Sequence, residues 1–139
     1  MTLASLEALE ARIAAATGPD REIDAELFDA LGIPVREFDP GDGDVSQWRE
    51  WPDGTKVANT RLTASIDAIV ALITRKLPGL GWIARTGIIG GDGRGKDEPY
   101  AALLSSQGGE ALYSSYAPTP ALALSLAFVR AMRAKEEAK

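Results

Sequence analysis

The chain contains no cysteine and no histidine. Without thiols there are no disulfides, no thiolate nucleophile, no iron–sulfur cluster and no cysteine-ligated zinc, and a reducing compartment is permitted. Without imidazole the commonest neutral-pH general base and the commonest transition-metal ligand are both missing. That excludes Ser-His-Asp triads, HExxH zinc sites and histidine-dependent deaminases. No run approaches the ~18 uncharged apolar residues of a membrane span. The start, MTLASLEALEARIAAATG, lacks a basic segment and acquires Glu7 and Glu10 early, so it does not read as a signal peptide.

What is present is an ordinary globular mixture of 139 residues, 45% hydrophobic and 25% charged, enough for one domain (1–139) with its own core and too little for two. The net charge of −5 is unevenly spread. Residues 1–60 hold five Lys/Arg against thirteen Asp/Glu, whereas residues 61–139 hold ten against seven. An acidic chain of this kind lacks the field that attracts duplex nucleic acid, although a locally basic cleft can still hold one small anion.

Apolar positions at three- and four-residue steps predict four helices, at 3–16, 20–31, 64–76 and 120–136. Thr2 can cap the first, and Pro19 is placed to open the second after Thr17-Gly18. The acidic residues Asp20, Glu22 and Asp24 suit the positive end of that helix's dipole. Thr63 or Ser65 can cap the third helix, whose Ile66, Ile69, Val70 and Ile73 mark it as nearly all core. Thr119-Pro120 opens the fourth, with Leu122, Leu126, Val129 and Met132 along one face. Val35 to Phe38 reads as a short strand. DPGDGD is turn material, and Trp48, Trp51 and Pro52-Asp53-Gly54 suggest a hairpin. Trp82 to Ile89, Tyr100 to Ser105 and Ala111 to Tyr116 read as a three-strand meander. The expected fold is α+β: a layered helix/sheet/helix sandwich on an antiparallel sheet of three to five strands. It divides into a helical pair at 3–31, a Trp-containing acidic segment at 33–60 and a helix–meander–helix core at 62–136.

Three segments, ATGPDREIDAEL at 16–27, LTASIDAIVALI with Trp82 at 62–82, and APTPALALSLAFVRA at 117–131, resemble the phage ABA sandwich domain, a family of small proteins of tailed phages and prophages. The resemblance implies layered helices around a sheet, a phage or prophage accessory protein, and a place in the host cell cytoplasm. It carries no catalytic residues. Residues 36–60 and the glycine loop at 87–96 depart from the pattern, so activity peculiar to this chain is expected there. Read by themselves, the three segments are helix punctuation.

Several constellations bear on chemistry. Gly90 to Lys96 fits GxxxxGK, but Asp97 stands where a magnesium-binding hydroxyl belongs, and Pro99 and a strand follow where a helix should start. A surface loop is the simpler reading; glycine amides with Arg94 or Lys96 can nonetheless contact a phosphorylated molecule. Asp39, Asp42, Asp44 and Glu50 fail the ligand order of a calcium loop in both registers. Trp48 and Trp51 differ by three positions, so in a strand they face opposite sides, and either suits core packing or stacking on a planar ligand. Arg85, Tyr113 and Tyr116 lie on strands beside the glycine loop, with Arg61, Arg75 and Lys76 as further positive charge, for which a solvated face is the plain explanation. Asp67 lies in the first turn of its helix, where dipole compensation suffices.

The resulting expectation is a binder rather than an enzyme, with no cofactor and no metal. It captures, and in that sense sequesters, a small anionic nucleotide-derived molecule such as a bacterial immune signal, through Trp48, Trp51, Arg85, Arg94, Lys96 and Tyr113, and acts as a homo-oligomer. The alternative is a protein-binding module that sets its acidic N-terminal half against a host protein or serves as a virion accessory. A magnesium phosphodiesterase built on Asp92, Asp97 and Glu98 is the remaining, weakest option.

Overall fold

In the computed structural model, residues 2–86, 99–105 and 109–139 are described. Helices α1 (Leu3–Ala15) and α2 (Arg21–Ala30) are followed by strands β1 (Val35–Phe38) and β2 (Ser46–Arg49). Then come α3 (Ile66–Lys76), strands β3 (Gly81–Arg85), β4 (Tyr100–Leu104) and β5 (Ala111–Tyr116), and α4 (Pro120–Glu137). The class is α+β, as expected.

The helix starts follow their sequence signals. Thr2 and Ser5 form a reciprocal capping box on α1, Ser65 caps α3 and Thr119 caps α4 with Pro120 behind it. At α2 the helix opens not at Pro19 but after Asp20, which caps it: its carboxylate accepts from the amides of Glu22 and Ile23 at 2.8 and 3.2 Å. A side-chain acceptor is what an N-cap needs, and proline has none. The same helix ends at Gly32, whose φ of 71° lets the chain turn back so that the Ile33 amide reaches the Phe28 carbonyl at 3.0 Å.

Strands β3, β4 and β5 form an antiparallel meander in that order, with a bulge at Leu103/Leu104. Opposed residues share a face, so Trp82, Leu103 and Tyr113 lie on one side and Arg85, Tyr100 and Tyr116 on the other. Ala101 and Leu103 join the core, and Ser115 donates to the Ala123 carbonyl of α4 at 2.5 Å, which places α4 on that side. Helices α1 and α3 pack against α4 rather than against the sheet, and α2 packs on α1. The layers therefore run sheet, α4, then α1 with α3.

This placement changes the reading of α4. Instead of one apolar face, every residue from Ala121 to Val129 is buried, as are Ala131 and Met132. Alanines at 121, 123, 127 and 131 let neighbours approach on all sides, and a helix apolar all round belongs inside. Conversely α3 is less buried than its stripe suggests: Ala68, Ile69, Leu72 and Ile73 are covered, while Ile66 is exposed.

The β1–β2 pair is a separate two-stranded sheet, joined across the acidic turn with Val35 opposite Arg49 and Phe38 opposite Ser46. A second, tighter turn follows, with a Glu50–Lys56 bridge and the Trp51 amide donating to the Thr55 carbonyl at 2.8 Å. Gly54 takes φ of 89° there, a conformation natural to glycine. Among the described residues no helix is long and apolar enough to cross a membrane.

Candidate functional site

The chain leaves β2 at Arg49 and reverses at Pro52 to Gly54, and this reversal sends the two tryptophans to different places. Trp51 is buried in the core, whereas Trp48 remains half-buried on the hairpin. Each lines its own cleft, and Phe28 of α2 lines both.

The larger cleft, about 260 Å³, is walled by Trp51, Phe28, Leu62, Ala68, Ala71 and Leu72, with Lys56, Asn59, Asp67 and Arg75 among its polar groups. The Arg75 guanidinium lies 4.4 Å over the Trp51 ring, a cation–π stack. It is fixed there by Asp53 Oδ2 at 3.1 Å and Thr55 Oγ1 at 3.0 Å. The Thr55 hydroxyl and amide donate to Asp53 Oδ1 at 2.6 and 3.0 Å; these bonds, then Arg75, hold the Asp53 carboxyl below its ordinary value.

Lys56 Nζ stands 4.4 Å over the Trp48 ring, and no carboxylate pairs with it among the described residues. Asp67 likewise has no hydrogen-bond or ion-pair partner there. Among the described residues the cleft is thus lined by a lysine without a carboxylate partner, a guanidinium stacked on a buried indole, and a carboxylate without a partner.

The smaller cleft, about 190 Å³, is lined by Trp48, Gln47, Val35, Arg21 and Arg49 among others. Its arginines are already engaged. Arg21 pairs with Asp24 at 3.1 Å and reaches Thr60, while Arg49 bonds Asp29 Oδ1 at 2.5 Å and the Ile33 carbonyl at 3.0 Å. Arg49 ties the hairpin to α2, and Arg21 ties α2 to Thr60 in the segment before α3. Among the described residues the Trp48 indole N–H is buried without a partner.

The other sequence-predicted residues do not join these clefts. Arg85 is exposed at the end of β3, and Tyr113 packs partly on the core from the opposite face of the same sheet. Tyr116 packs against Tyr100 with ring centroids 5.1 Å apart and ring planes tilted by 51°. Arg94 and Lys96 lie outside the described residues, as do Asp92, Asp97 and Glu98 and the GxxxxGK loop. Asp39 and Asp42 accept from the nearby amides of Gly41 and Asp44 at 2.8 and 3.0 Å, turn-forming bonds. Among the described residues no three His, Cys, Asp or Glu side chains are grouped to hold a metal.

Lys56 carried no signal in the sequence, and Arg75 and Asp67 carried only those of a solvated face and a helix start. They meet because the turn at 51–57 folds over α3. Comparisons with protein-family models, curated proteins and solved structures find no match to this chain.

Proposed function

We propose that the protein is a phage or prophage accessory protein of the host cytoplasm that holds a small anionic nucleotide-derived molecule, such as a bacterial immune signal, without transforming it. The observation that carries this reading is the placing of two basic residues, Lys56 without a carboxylate partner among the described residues and Arg75 held by Asp53, at one cleft with an apolar wall of Phe28, Trp51, Leu62 and Leu72. Planar bodies pack against an apolar wall, and phosphate is drawn to ammonium and guanidinium groups. The volume of about 260 Å³ is just under the range of drug-sized sites, which suits one ring system with one acidic group, or one end of a larger ligand. A chain without imidazole or thiol lends itself to retention rather than turnover.

The test is calorimetric titration with a panel of mononucleotides, followed by mass spectrometry of the recovered ligand, with light scattering to read whether a homo-oligomer forms. Lys56→Ala should weaken binding about tenfold, as expected for a lost charge-assisted contact. Ala71→Leu, which fills the cleft from an exposed helix position, should abolish it. Equal affinity in both variants, or a chemically altered ligand, overturns the proposal.

A second reading rests on the hairpin tip, where Phe38 is 59% and Val45 43% exposed beside Glu37, Asp39, Asp42 and Asp44. Apolar anchors within an acidic field suit a cationic site on a host protein. Under this reading Phe38→Asp abolishes capture of that protein; under the first it leaves nucleotide binding untouched.

A further inference from the structure

Resting on the nucleotide reading above, we propose that Asp67 selects the base, and that the ligand presents a donor-only edge of the guanine type: a ring N–H beside an exocyclic amino group. The juxtaposition is an apolar wall of Phe28, Leu62 and Leu72, Lys56 and Arg75 as cations, and Asp67 as a carboxylate unpartnered among the described residues, all at the same cleft. Lys56 and Asp67 line one cavity yet form no ion pair with each other, so a ligand with an acidic group and a donor edge satisfies both at once.

The neighbouring amide does not compete for this role. Asn59 Nδ2 donates to Ser65 Oγ at 3.2 Å, and its Oδ1 accepts from the Arg61 amide at 2.9 Å. That leaves Asp67 as the cleft's uncommitted side-chain acceptor among the described residues. A carboxylate near neutral pH accepts hydrogen bonds and donates none. It matches an edge of two donors and meets repulsion from adenine, which sets a ring-nitrogen lone pair beside its amino group. The place of Asp67 in the first turn of α3 accounts for its charge. The cleft gives that charge a second use.

The experiment is titration of the full chain with GMP and with AMP at pH 7, repeated on Asp67→Asn, with thermal melting to confirm that the variant is folded. GMP is expected to bind at least about tenfold more tightly than AMP, the discrimination of one bidentate contact. In Asp67→Asn, which offers one donor and one acceptor, that preference should fall to within about threefold or reverse. Wild-type affinities within threefold of each other, or a GMP preference that survives in the variant, overturn the assignment of Asp67 while leaving the nucleotide reading standing. Failure of wild type to bind either nucleotide overturns both.

Discussion

The carboxylate of Asp24 on α2 accepts hydrogen bonds from both the amide and the hydroxyl of Thr63, each at 2.8 Å, across 39 positions of sequence. Both residues are buried, and the Thr63 hydroxyl also accepts from the Asp20 amide at 2.8 Å. One threonine thus fixes the start of α2 against the segment that leads into α3. Phe28 of α2 and Ala68, Ala71 and Leu72 of α3 line the larger cleft, so this clip joins two elements that wall it. Thr63→Val keeps the shape but strips the carboxylate of a donor. It should destabilise the fold by about 1–3 kcal/mol, read as a lower urea midpoint at unchanged slope, with Thr63→Ser costing less.

Trp48 supplies the opposite case. Its buried indole N–H has no acceptor among the described residues, so Trp48→Phe removes a desolvated donor and keeps an aromatic ring beneath Lys56. The variant should be neutral, or more stable by up to about 1 kcal/mol, checked by thermal melting.

The Asp53–Thr55–Arg75 cluster predicts a pH effect. Hydrogen bonds from Thr55, with Arg75 behind them, lower the folded-state pKa of Asp53, so the ionised form favours the folded turn. That contribution is present above the unfolded value of about 3.9 and is lost as pH falls through the lowered one. Trp51 fluorescence, sensitive to the overlying guanidinium, should hold steady from pH 7 to 5 and change below about pH 4, and Asp53→Asn should remove that transition.

The central position of α4 predicts that small residues there resist enlargement. Ala127 is fully buried, so Ala127→Leu should cost about 1–3 kcal/mol by overpacking. Ala71→Leu on the exposed side of α3 should stay within about 0.5 kcal/mol of wild type in the same denaturation experiment.

The local pattern of the chain was enough to determine its four helices, most of their caps, the meander and the turn chemistry, because capping hydroxyls, helical periodicity and glycine punctuation act within a few residues. Only the tertiary structure decided that α4 is the middle layer, since one-dimensional periodicity cannot distinguish an alanine facing water from one pressed against a sheet. Likewise, only folding brought Phe28, Lys56, Asp67 and Arg75 to one cleft and parted Trp51 from Arg85 and Tyr113. Those neighbours come from α2, the turn at 51–57 and α3, and side-chain clefts form from contacts between segments that carry no mark of each other in sequence.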